Sequence, residues 1–147
     1  FEYTPLKELI VVGAGDYDFV IDDLKTKFPD KVTHYVNKSR HECLELIGSS
    51  FLSYSSATRG GWGFIGDSWA MRTPLFVSSN HYNFNDKIDC IFVNPDNIAE
   101  KINILHANPD LYESLCEGGW SRFNKNHDSD AVGRKFLEII NSTIIDI

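Results

Sequence analysis

Five short runs of apolar, β-branched or aromatic residues, each closed by small or polar ones, alternate along this chain with stretches whose apolar residues recur at helical spacing. No other feature of the sequence constrains the fold as tightly. The runs are Leu9 to Gly13, Val32 to Val36, Ser50 to Ser56, Pro74 to Ser78 and Cys90 to Asn94, and they predict strands of a mostly buried sheet. Between and after them, Val20, Leu24 and Phe28, then Cys43, Leu44 and Ile47, then Ile98, Ile102 and Leu105, and finally Val132, Phe136, Ile139 and Ile140 follow the period of an amphipathic helix. Ser39, three residues before Glu42, forms a capping box for a helix ending near Gly48. Asp96 or Asn97 caps the helix that Pro109 closes, and Ser129 caps the last one. Each gap between strands is wide enough for a crossover. The expected fold class is therefore α/β: a Rossmann-like parallel sheet of about five strands with helices on both faces.

A chain of 147 residues supports one hydrophobic core, and residues 1–147 are read as a single domain. Apolar residues at 42% and charged residues at 24% exclude disorder, collagen-like repeats and coiled coil. Fourteen Lys and Arg against 21 Asp and Glu give a net charge of -7. Such a field repels phosphate backbones and anionic lipid, so no nucleic-acid partner is expected and membrane association is not encoded in this chain. The longest apolar runs, such as Leu9 to Val12, fall far short of a membrane span, and the N-terminus shows no signal-peptide pattern. Cys43, Cys90 and Cys116 are odd in number and far apart. They are expected to be reduced, buried thiols of a cytoplasmic protein.

Ligands of a parallel α/β sheet bind beyond the carboxyl ends of its strands. The residues there are Gly13-Ala14-Gly15, Asn37-Lys38-Ser39, the loop from Ser55 to Gly63, and Ser78 to His81. Gly60-Gly61-Trp62-Gly63 stands out, because three glycines in four positions let a backbone turn sharply and approach a ligand closely. Phe64 and Ile65 then open a buried helix, expected over Phe64 to Arg72, whose first amides favour an anion such as phosphate. The alternative is a plain glycine turn. On the phosphate reading, a Cβ at Gly61 or Gly63 would be obstructed. Trp69 is expected in the core and Trp62 near the cleft.

Other sites fail on spacing. Gly13-Ala14-Gly15 is not a dinucleotide fingerprint, since Asp18 stands where the third glycine belongs. The acids of a response-regulator receiver are absent, as is a G-x-S-x-G elbow. His34, His41, His81, His106 and His127 lie in five separate segments, so no metal site is supported.

The stretch from Arg59 to Ser78 resembles the signature of group 1 retaining nucleotide-sugar glycosyltransferases of the GT-B fold, whose donor-binding half reads roughly E-G-W/F-G-x-x-x-x-E-A-x-A-x-G-T-P-V-V. Leu9 to Gly15 is similar to that family's L-x-I-V-G-x-G strand, Val32 to Asn37 to its V-x-F-x-G strand, and Ile88 to Asp96 to its d-G-x-x-G-x-l-v-x-P-x-d segment. The motifs occur in the family's order over nearly the whole chain. The resemblance implies transfer of a sugar from a nucleotide-diphosphate donor to a glycan, lipid or protein acceptor with retained configuration. It implies the donor-binding, C-terminal half of a two-domain enzyme whose N-terminal, acceptor-binding half lies elsewhere. By position, Gly61, Gly63, Phe64 and Ile65 would present backbone to the diphosphate, which needs no metal and no further cofactor. Asp67 would take the place of the glutamate that binds both ribose hydroxyls, and Val36, Asn37 and Lys38 match the loop on the base edge.

This chain departs from the pattern in two ways. The family's first glutamate falls on Arg59 or Gly60, and the second is shortened to Asp67. The family's preceding strand, with its G-R-x-x-x-x-K-G segment, has no counterpart in these residues. Three readings follow: the donor-binding part of a glycosyltransferase, a catalytically degenerate binding or regulatory domain of the same fold, or a GT-B-type nucleotide-sugar epimerase.

Overall fold

The computed structural model describes residues 3–13, 18–56, 61–79 and 83–144. Ala14, Gly15, Arg59, Gly60 and His81, which the sequence places in loops beyond the strand ends, lie outside them. The elements run β1 (Leu9–Val12), α1 (Asp18–Lys27), β2 (Val32–Tyr35), α2 (Arg40–Gly48), β3 (Ser53–Ser55), α3 (Trp62–Ala70), β4 (Leu75–Val77), β5 (Ile91–Phe92), α4 (Ile98–Ala107), α5 (Pro109–Asn126) and α6 (Ser129–Ile144). All five expected strands form and every ladder is parallel, so the α/β class holds.

The single sheet does not. β1 pairs with β2, and β3, β4 and β5 pair in that order, giving a two-stranded and a three-stranded ladder instead of one sheet of five. A ladder continues only where a neighbouring strand lies about 4.8 Å away, and among the described residues no strand pairing joins β1 to β3. The two ladders differ in burial. Leu75, Phe76 and Val77 of β4 are all buried at 0 to 1% exposure, whereas Leu9 and Val12 of β1 are about 40% exposed. In β4 the side chains alternate between two apolar clusters, as a strand covered on both faces requires. Leu75 and Val77 join Ile65, Trp69, Phe84 and Cys90, while Phe76 joins Ile91, Val93, Ile102, Leu105 and Leu115.

Trp69 lies at the centre of the first cluster, and its indole N–H donates to the Asp89 carbonyl at 2.8 Å. A pair of glycines in α5 lets it pack closely, Gly119 against α3 and Gly118 against the loop before β5. A Cβ built on Gly118 would overlap the backbone carbonyl of Ile88, and one on Gly119 would overlap the Trp69 ring, with Nε1 at 2.9 Å. Asp89, 2% exposed, is held by Arg122 from α5 at 2.6 Å and by both the amide and the side chain of Asn85 at 3.0 Å. The Arg122 guanidinium also lies over the Trp69 and Phe84 rings.

Local rules account for most helix ends. The capping box of α2 is complete in both directions between Ser39 and Glu42. Asn97 stands at the start of α4 but makes no cap bond, because its side-chain oxygen accepts the Asn94 amide instead. The last cap is displaced by one residue: Ser129 is the first residue of α6, and the Asp128 carboxylate accepts the Asp130 amide at 3.1 Å. Pro109, expected only to close α4, is also the first residue of the 18-residue α5, capped by the Asn108 side chain on the Leu111 amide. Among the described residues no helix is long and apolar enough to cross a membrane.

Candidate functional site

The start of α2, which follows the turn after β2, is joined to the middle of α3 by an ion pair. Asn37 follows β2 with φ of 61°, a left-handed conformation that favours glycine and that asparagine tolerates best among the other residues. Past this turn the chain enters α2 at Arg40, whose Nη2 donates to Asp67 Oδ1 at 2.6 Å and whose Nη1 donates to Oδ2 at 3.2 Å. The Asp67 side chain is only 16% exposed, while that of Arg40 is 72% exposed. Thus Asp67, the residue matched to the ribose-binding glutamate, is held by the first residue of α2.

α3 itself begins two residues earlier than the sequence suggests, at Trp62, and ends two residues earlier, at Ala70. Its first turn carries the amides of Trp62, Gly63 and Phe64, the positions where a helix leaves N–H groups without intrahelical acceptors. The Ile65 amide is different: it donates to the Gly61 carbonyl at 3.0 Å, and the Ile65 side chain is fully buried in the core. Ile65 is therefore a packing residue whose amide is used within the helix. Gly61 has φ of -73°, an ordinary value, but a Cβ there would lie 3.0 Å from Ser55 Oγ, tighter than usual contact. Gly63 departs from expectation, since a Cβ on it meets nothing within 4 Å.

The remaining expected residues are placed less centrally. Val36 is 48% exposed beside Asn37. Lys38, just before the α2 cap, turns onto that helix: Nζ donates to Glu42 Oε1 at 2.7 Å and lies 4.8 Å from the Tyr35 ring centre. Lys38, Tyr35, Glu42, Glu45 and Met71 line a shallow groove of about 590 Å³ that does not include Asp67. The hydrogen bond to Glu42 raises the Lys38 pKa, and the same bond, joined by the Ser39 amide and hydroxyl, holds the Glu42 carboxyl down to about 2.

Two features of the rim escape a reading by motif. The first is Arg40. A cation in the first turn of a helix opposes the macrodipole, and that local misfit was the sequence signal for an acidic partner elsewhere. The second is His127, whose ring packs edge-on against Trp62 at 4.3 Å between centroids. Burial foremost, then Arg122 and Lys135, lowers its pKa. Trp62 in turn meets Trp69 edge-on at 5.8 Å, which ties the helix start to the core. Among the described residues no group of three or more His, Cys, Asp or Glu side chains is gathered as a metal site.

No family model matches this chain, and no curated protein matches it. Solved structures do. The complex of Anabaena HepE with UDP-glucose superposes with a TM-score of 0.74 at 14% identity, covering 92% of this chain and 41% of that one. The pneumococcal O-GlcNAc transferase GtfA, in complex with UDP and GlcNAc, superposes with a TM-score of 0.66 at 12% identity, covering 93% of this chain and 29% of that one. The chain thus shares the fold of the matched part of these two structures, and it spans less than half the length of either.

Proposed function

We propose that this chain is the donor-binding, C-terminal half of a glycosyltransferase that transfers a sugar from a nucleotide diphosphate with retention. The observation that carries the reading is the ion pair by which Arg40, at the start of α2, holds Asp67 of α3, on elements that follow strands of an open α/β sheet, where such folds hold their ligands. Both similar structures contain a uridine nucleotide, which makes UDP the first nucleotide to test. The first-turn amides of α3 at Gly63 and Phe64 face the diphosphate. Asp67 receives the ribose hydroxyls, and Val36, Asn37 and Lys38 border the base. Stabilisation by backbone amides requires no metal. The acceptor, a glycan, lipid or protein, is bound by a separate N-terminal half, and the reaction takes place in the cytoplasm.

A second reading, a degenerate binding domain of the same fold, draws on a specific observation: the Asp67 carboxylate is already engaged by Arg40. Titration of the full chain with UDP, GDP and ADP, followed by amide chemical shifts, separates the two. Saturable shifts at Asn37, Gly63 and Phe64 with one nucleotide support donor binding. No response to any of the three supports the degenerate domain.

A further inference from the structure

Arg40 is placed where neither folding nor the family pattern requires a cation. It occupies the first position of α2, where a positive charge works against the helix dipole. Its side chain is 72% exposed, so water screens its ion pair with Asp67 and the pair adds little to folding. The geometry of the pair is informative. Each terminal nitrogen gives one N–H to one carboxylate oxygen, which leaves the Nε–H and one N–H on each terminal nitrogen unused by Asp67. An isolated carboxylate on this rim would repel an incoming diphosphate, whereas the paired one is neutralised by a fork that still has donors to offer.

We infer that Arg40 is a donor-binding residue: it neutralises Asp67 and directs its remaining N–H groups to a phosphate oxygen of the nucleotide diphosphate. This rests on the nucleotide-binding reading above and deepens it. Arg40 then supplies, from α2, a cation for the diphosphate alongside the amides of α3. Its contribution follows phosphate charge, whereas a residue that only holds Asp67 in place acts on the ribose and so affects every nucleoside equally.

The test is an NMR titration of the full chain and of Arg40→Gln and Arg40→Lys with UDP and with uridine, after amide spectra confirm that each variant is folded. Arg40→Gln is expected to weaken UDP tenfold or more and uridine less than threefold, with Arg40→Lys recovering part of the UDP loss because it keeps the charge without the fork. Equal loss for UDP and uridine overturns the assignment, as does UDP affinity that is unchanged or higher in Arg40→Gln. A wild-type chain that binds none of UDP, GDP and ADP overturns the nucleotide reading itself, and Arg40 with it. A wild-type chain that binds UDP while Arg40→Gln binds it equally well overturns only Arg40.

Discussion

The Trp69 ring lies flush on Gly119, in the space that a Cβ at that position would occupy. α3 and α5 approach each other closely because that methyl group is absent. Gly118→Ala and Gly119→Ala are therefore expected to destabilise the fold by about 1 to 3 kcal/mol through overpacking, more than the roughly 1 kcal/mol that alanine gains over glycine in a helix. Gly118 should be the worse site, since its obstacle is the Ile88 backbone and not a side chain. Gly133→Ala in α6, where a Cβ meets nothing within 4 Å, should leave stability unchanged or raise it. Thermal unfolding of the three variants side by side checks the order.

Removing the Asp89 carboxylate should be costly. Asp89→Ala leaves the Arg122 guanidinium, 18% exposed, without its buried counter-ion, a change worth about 3 to 5 kcal/mol. Denaturant unfolding should show a lower midpoint with an unaltered slope. A midpoint within experimental error of wild type would mean that Arg122 finds compensation on the Trp69 and Phe84 rings.

Asp67→Asn should weaken uridine tenfold or more, because loss of a charged hydrogen bond to ribose costs about 1.5 to 3 kcal/mol, and UDP by a smaller factor, because Arg40 keeps its full charge for the phosphate. The same variant should lose its preference for UDP over 2′-deoxy-UDP. Unchanged affinity with a slightly lower melting temperature would reduce Asp67 to a partner of Arg40 alone.

Acid should loosen the start of α2 late. The Glu42 carboxyl is held down to about 2 by Lys38 and Ser39, below its unfolded value of about 4.5. Its stabilising effect is complete above the unfolded value and is lost as pH falls from there toward 2. The Ser39 amide, which donates to Glu42 Oε2 at 2.8 Å, should keep its chemical shift down to about pH 4 and move below it.

Thiol labelling should distinguish the cysteines. Burial pushes the Cys90 thiol up and raises that of Cys116 to about 11, while Cys43 is half-buried on α2. At pH 8 a colourless-to-yellow disulfide reagent should titrate Cys43 in the native protein and all three thiols after denaturation.

The strands, the α2 capping box and the burial of Trp69 were legible in the sequence because each depends on residues close together in the chain. Pro109 shows where local rules divide: proline ends one helix and, lacking an N–H the first turn would leave unpaired, starts the next equally well. The sequence offered no second signal to choose between them. Gly118 and Gly119 read as a weak point in a helix until the partner surface, Ile88 and Trp69, is known. The same holds for the candidate site. The glycine-rich turn could be found by composition, but the Arg40 and Asp67 pair joins residues on separate helices, and Ile65 could be assigned to the core only once its amide and side chain were seen together.

Two ladders of unequal burial also carry an energetic consequence. Backbone amides of β4 should exchange with solvent only on global unfolding, whereas those of β1 and β2 should exchange through smaller openings. On the proposed reading, the base loop belongs to the weaker ladder and the phosphate-facing amides to the stronger one. A nucleotide that touches both then binds only the fraction of molecules in which the two are docked, and its apparent affinity is reduced by that fraction. Saturating ligand should in turn slow exchange most in β1 and β2, so the binding energy is recorded as protection in the part of the molecule that is least stable without it.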